Sequence, residues 1–301
     1  MNTSVIAIGY QQQWWDILTS HFMQNALLGG TLVALSAGLI GYFTVVRNSA
    51  FAAHALAHIG FPGATGAVLL GLPVTLGLAV FCIGGALVIG ALGKRADDRE
   101  VATGTVLAAA TGLGLFFGSL ATKGSSTVTN VLFGNLLAVT DEQLLVFAAA
   151  VVVLAAVIAF VYRPLLFASV NAEVAEAKGV PVRLLSVIFM VLLGLAVTMA
   201  VQAVGTLLLF ALVVTPAATA IMLTARPGVA MALSTALSVF SVWLGLTMSA
   251  MFNLPPSFVI VTIVTLIWLL VWAVAHRTDG SRRTPGAGQG VGSATEGSAI
   301  G

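Results

Sequence analysis

The sequence predicts an all-α, polytopic membrane protein of about nine transmembrane helices, and three observations carry that prediction. Of 301 residues, 59% are hydrophobic and 7% charged, where a soluble domain carries about 25% charged residues. The apolar residues gather into runs of the ~20 that a helix needs to cross a hydrocarbon core. The basic residues fall almost entirely into alternate loops, as the positive-inside bias of membrane proteins requires.

Residues 1–25 read as a short extracytoplasmic segment. They include Gln11-Gln12-Gln13, Asp16 and His21 and no long apolar stretch, so no cleavable signal peptide is expected and the first span must direct insertion. Trp14 and Trp15 suit an outer interfacial belt. The spans then follow at 26–46, 50–71, 74–93, 101–122, 143–162, 184–202, 204–225, 228–252 and 257–275, making a transmembrane domain over 26–276. The count is softest at 184–225, which passes without a charge. That length is about 63 Å of helix, roughly two crossings, with Gly205 after Gln202 as the expected break. A broken or re-entrant helix there would make the count eight.

With nine spans, Arg47, Lys94, Arg95, Arg99, Arg163, Lys178, Arg183, Arg226, Arg277, Arg282 and Arg283 share one side and Lys123 alone takes the other. This asymmetry places the N-terminus outside and the C-terminus in the cytoplasm, with Trp268 and Trp272 near the inner interface. Residues 277–301, rich in Gly and Ser, read as a solvated, disordered tail. The glycines within the spans, such as Gly114 and Gly118 around Leu115-Phe116-Phe117, read as close-packing positions between helices. Cys82 is the one cysteine and reads as packing. The net charge of +2 gives no footprint for nucleic acid.

The loop at about 163–183 is longer than a turn needs. Asn171 is placed to cap a short helix carrying Glu173 and Glu176 in its early turns and Lys178 in its last, with Gly179 as the stop and Pro181 beyond. The result is a small amphipathic helix at the membrane surface, either a connector or a docking element for a cytoplasmic partner.

One stretch stands out chemically. His54 and His58 lie four residues apart in a run that is otherwise apolar from Ala50 to Gly71. On a helix that spacing stacks both imidazoles on one face. Counted from Arg47, they lie roughly 10–16 Å deep, near the middle of a ~30 Å core. Ionisable groups at that depth are costly and usually face a pathway or cavity. The plainer reading is two buried histidines satisfied by carbonyls or hydroxyls. As ligands, two neutral imidazoles suit zinc, whereas manganese prefers oxygen donors. His21 and His276 read as interfacial.

These patches together resemble the permease subunits of the bacterial ATP-binding-cassette importers for zinc, manganese and iron, from about Ala26 to Ala275. The resemblance is carried by Arg47 to Gly63, by Leu132 to Thr140, by the Asn171–Val180 loop, and by Gly205-Thr206-Leu207-Leu208 continuing to Thr215-Pro216-Ala217-Ala218-Thr219-Ala220. It implies an importer-permease bundle working as a homodimer with a cytoplasmic ATP-binding subunit and an extracytoplasmic metal-binding receptor. His54 and His58 would be the metal ligands, Thr215, Pro216, Thr219 and Asn135 the pathway and gating residues, and Glu173, Glu176, Lys178 and Gly179 the ATPase-coupling residues. Two positions depart from the family. Its Asp-x-x-x-His pair is His54 and His58 here, and Asn135 stands where many relatives have aspartate.

The chain contains no G-x-x-x-x-G-K-[ST] phosphate loop. It is therefore expected to be a transport subunit and not an enzyme, with no permanently bound cofactor and a divalent metal, zinc ahead of manganese or iron, as its cargo. The rival readings are a gradient-driven secondary transporter, a permease for a metal chelate or corrinoid, and a membrane scaffold. The first of these predicts intramembrane carboxylates or an inverted repeat, yet all ten Asp and Glu fall outside the spans.

Overall fold

The structure, a computed structural model, describes residues 19–92, 96–120, 131 and 133–282, the side chains of 96–99, 207 and 276–282 excepted. Trp14, Trp15, Lys94, Arg95, Lys123, Leu132 and Arg283, with most of the expected N-terminal segment and of the tail, lie outside the described residues. The helices are α1 (His21–Val46), α2 (Ala50–Leu70), α3 (Val74–Leu92), α4 (Ala96–Leu120), α5 (Asp141–Val170), α6 (Ala172–Ala177), α7 (Val182–Leu223), α8 (Pro227–Phe252) and α9 (Pro256–Arg282), with one 3-10 turn at Leu136–Ala138. Eight helical stretches are long and apolar enough to cross a membrane, and Leu208–Leu223 is a shorter apolar ninth.

Local chemistry sets the turns between the first three helices. Asn48 takes φ 50°, and the Ser49 amide donates to Thr44 O at 2.8 Å to close α1 and reverse the chain. Gly71, at φ 69°, ends α2, and the Leu72 amide reaches back to Ala67 O at 2.8 Å, the αL stop that glycine takes without steric cost. At the start of α5, Thr140 and Gln143 form a capping box. That helix runs on through Arg163 and Pro164 to Val170, so most of the segment expected as loop before Asn171 is helix. Similarly, α9 continues to Arg282, so the first residues assigned to the tail are helical.

Glycines let the helix backbones touch. A Cβ at Gly63 would strike the carbonyl of Gly77, and one at Gly77 the carbonyl of Gly63, so α2 and α3 are in backbone contact there. In lipid this close approach supplies the van der Waals contact that hydrophobicity cannot. Gly114 leaves room for the Phe61 ring, which is the use of the Gly114/Gly118 pair.

The long apolar run of α7 holds one non-helical residue, Gly205 at φ 79°, ψ 170°. Contacts on either side of it show that the chain turns back. Gly194 packs on Cys82 in the middle of α3, and Gln202 Nε2 donates to Thr75 Oγ1 at 2.5 Å in the first turn of α3, so the first arm climbs away from the Arg47 face. Beyond the break, the Val213 carbonyl lies against Gly41 near the end of α1, and Leu212 O lies 3.5 Å from Ser238 Oγ of α8. The second arm therefore descends towards Arg226 and the Arg47 face. Two passes joined at Gly205 are what the run length implied, and the returning arm is the short one.

The segment after α4 closes over the break. Gly134, at φ 70°, lies against the backbone of Val204 and Gly205, Ser257 Oγ donates to Phe133 O at 3.2 Å, and Asn25 Nδ2 donates to Asp141 Oδ1 at 2.7 Å.

Gly63→Ala is expected to cost about 1–3 kcal/mol by overpacking the α2–α3 contact. Gly84, beside which a Cβ meets nothing within 4 Å, is the control. Thermal unfolding of the two purified variants in detergent compares them; equal midpoints would contradict the backbone contact.

Candidate metal site

In α2 the side chains divide sharply by face. Ala53, Ala55, Leu56 and Ala57 are wholly buried against the bundle, whereas His54 and His58 are half-buried and Phe51 is exposed. The stripe 51/54/58 is thus the less covered side of α2 in its first half. The imidazole centroids of His54 and His58 are 4.8 Å apart with the planes at 73°, so the two rings meet edge to face one turn apart, as the i, i+4 spacing requires. Neither ring takes a hydrogen bond among the described residues, so the carbonyls and hydroxyls invoked by the plainer reading are not found there.

Two further features shape the pair. Pro62 lies inside α2, and its missing N–H leaves the His58 carbonyl without its helical donor. Phe210, in the returning arm of α7, sets its ring 5.7 Å from that of His54 at 84°. Phe210 is a site neighbour that the sequence did not reveal. It is one aromatic in a uniformly apolar run, and only the reversal at Gly205 brings it to α2.

Among the described residues no group of three or more His, Cys, Asp and Glu converges. A metal ion at this pair would meet two imidazole nitrogens, fewer than the four donors of a tetrahedral shell.

The other expected pathway residues are not gathered at this pair. Thr219 Oγ1 donates to Thr215 O at 2.8 Å, and Thr219 lies about two and a half turns beyond Phe210, hence on the opposite face of the arm. Pro216 is buried, and the carbonyl that it releases, that of Leu212, faces α8 with Ser238 Oγ at 3.5 Å, a hydroxyl whose nearer acceptor is Ser234 O at 3.0 Å. Asn135 is exposed in the segment over the Gly205 break, at the end of the molecule away from Arg47.

The short surface helix forms as its residues dictate. Asn171 Oδ1 accepts the Val174 amide at 3.0 Å. Gly179 takes φ 81°, and the Val180 amide returns to Ala175 O at 3.0 Å. Ala175 is fully buried and pins α6 to the bundle, while Glu173, Val174, Glu176 and Lys178 are exposed. A six-residue helix with an apolar anchor beneath and charge above presents a rigid, polar knob on the Arg47 face.

Comparison with known proteins places this geometry. The model of the ABC 3 transport family matches residues 19–275. The manganese transport system membrane protein MntC of Listeria innocua is 32% identical over 85% of this chain and 91% of its own length. The manganese import system permease protein ScaB of Streptococcus parasanguinis is 30% identical over 85% and 92% respectively. Among solved structures, PsaBC from Streptococcus pneumoniae in complex with Fab superposes with a TM-score of 0.77 at 30% identity, covering 87% of this chain and 95% of that one. An inward-facing putative metal-chelate type ABC transporter shares the fold, with a TM-score of 0.66 at 17% identity.

Proposed function

This chain belongs to the ABC 3 transport family, a transport membrane subunit and not an enzyme, and we propose that it is the permease of an ATP-driven importer of divalent transition-metal ions. The observation that carries the reading is the His54–His58 pair, half-open and free of hydrogen bonds among the described residues, in an otherwise apolar helix. Weak, incomplete coordination near mid-membrane suits a species that must arrive and leave.

In this reading two copies face each other across their open α2 stripes, so that four imidazoles surround the ion. An extracytoplasmic receptor delivers it, and a cytoplasmic ATPase supplies the energy that this chain has no phosphate loop to draw on. Glu173, Glu176, Lys178 and Gly179 make the knob that docks the ATPase, because α6 is fixed at its base and charged on its exposed side. Thr215, Pro216 and Thr219 act through the packing of the returning arm, and Asn135 lines the outer approach. The N-terminus lies outside and the C-terminus inside, following the charge asymmetry.

The expectation of zinc ahead of manganese finds no support among the relatives, whose names specify manganese. The physical reason is that two imidazoles form only part of a shell. Ligands from elsewhere, oxygen above all, set the preference. Manganese is therefore the cargo adopted here, and zinc, favoured by the imidazoles alone, is the second reading.

Cells expressing the permease with its neighbouring ATPase and receptor should accumulate manganese from a mixed pulse of manganese, zinc and iron. The His54→Ala/His58→Ala variant should lose that accumulation at equal membrane expression, as elemental analysis of the cells would show; accumulation unaffected by the double change would make the histidines structural. For coupling, Glu176→Lys with Gly179→Pro should abolish stimulation of the ATPase by the permease while insertion persists. Unchanged stimulation would reduce α6 to a connector.

A further inference from the structure

At the Arg47 end of the α2–α4 seam lies a small, partly open cavity of about 50 Å³, walled by the Arg47–Ser49 turn, Phe51 and Ala52 of α2, and Glu100 and Thr103 of α4. Its place follows from how these two helices run. Farther along, Phe61 sits on Gly114, the Phe117 ring is 3.2 Å from a Cβ built at Gly66, and Thr65 Oγ1 donates to Gly114 O at 3.4 Å. The pairs advance together, so α2 and α4 are parallel and packed along their length. The face of α4 turned towards α2 runs Glu100, Thr103, Leu107, Ala110 and Gly114, spaced at helical periods; Thr103 is 1% exposed and Ala110 6%, and Glu100 at the end is exposed. Glu100 is the first residue of that stripe. The span expected from the sequence begins one residue later, at 101, but the helix begins at Ala96 and Glu100 lines the cavity beside α2.

Phe51, which shares the cavity with Glu100, belongs to the same open stripe as the histidines. By helical rise, His54 lies about 4.5 Å and His58 about 10 Å beyond it. An ion leaving the pair towards the Arg47 face therefore passes the level of Glu100. The carboxylate is exposed and makes no ion pair among the described residues. Arg47 lines the same cavity, with Nη1 donating to Ser169 Oγ at 3.2 Å and the guanidinium 5.2 Å over the Phe189 ring.

We infer that Glu100 is a pathway ligand and a determinant of metal preference: its carboxylate receives the divalent ion that His54 and His58 release. It supplies the hard oxygen donor that this α2 lacks, its ligand pair being two imidazoles. Oxygen donors favour manganese over zinc, and imidazoles the reverse, so a carboxylate one step along the path moves a nitrogen-rich route towards manganese. The inference rests on the reading of the chain as a metal importer.

The test uses the complete complex, permease with its own ATPase and receptor, in cells given radioactive manganese or zinc. Initial uptake rates are compared for wild type, Glu100→Gln and Glu100→Asp at matched membrane expression. The manganese-to-zinc uptake ratio should fall about tenfold in Glu100→Gln, the order expected for losing one oxygen partner of a metal, and Glu100→Asp should recover most of it. A ratio unchanged in Glu100→Gln, whether both rates stay level or fall together, overturns the role of Glu100 while leaving the importer reading intact. A wild type that takes up neither ion overturns both.

Discussion

The close seating of the returning arm of α7 on α1 is the contact on which the rest of the site depends. Where Gly41 meets the Val213 carbonyl there is no room for a side chain, and the same arm packs on α8, where Leu212 O lies 3.5 Å from Ser238 Oγ. Between these two supports the arm is fixed in depth and rotation. Its aromatic residue, Phe210, consequently arrives beside His54. A bulkier residue at position 41 would push the arm outward and carry Phe210 with it, so a residue far from any ligand governs how the imidazoles are flanked. In a hydrocarbon surround this is the ordinary source of order: without water to expel, helices are fixed by how closely their backbones approach.

The histidine pair gains its character from what surrounds it. Three neighbours on α2 are entirely buried alanines, and they press that helix against the bundle without offering a polar atom. The imidazoles are left with each other, with an aromatic edge and with the unfilled side. In the proposed importer a second copy would turn that deficiency into a cage, and the freed His58 carbonyl lies next to it. The match to manganese permeases over most of both chains accords with an arrangement built to hold an ion briefly.

Much of this was legible in the sequence, and the parts that were not share a cause. Gly205 could be read as a reversal because the run around it was too long for one crossing and glycine is where a chain can leave helical angles cheaply. Asn171 and Gly179 marked the ends of α6 because capping is local chemistry. His54 and His58 stood out because ionisable groups are rare at that depth. Phe210 gave no signal, since one more apolar residue in an apolar run carries no period. Glu100 was hidden for the opposite reason, lying among charges just outside the expected span. Pro216 was named by the resemblance, but its surroundings were not legible, because the α8 serine that faces its released carbonyl lies 22 residues further on.

The returning arm, Leu208–Leu223, is also shorter than a bilayer is thick: at 1.5 Å per residue it spans about 24 Å against a hydrocarbon core of ~30 Å. Its upper end, at the Gly205 break, is roofed by the Gly134 segment, whose backbone lies against Val204 and Gly205, so protein backbone meets the polar groups that the short arm leaves at its end.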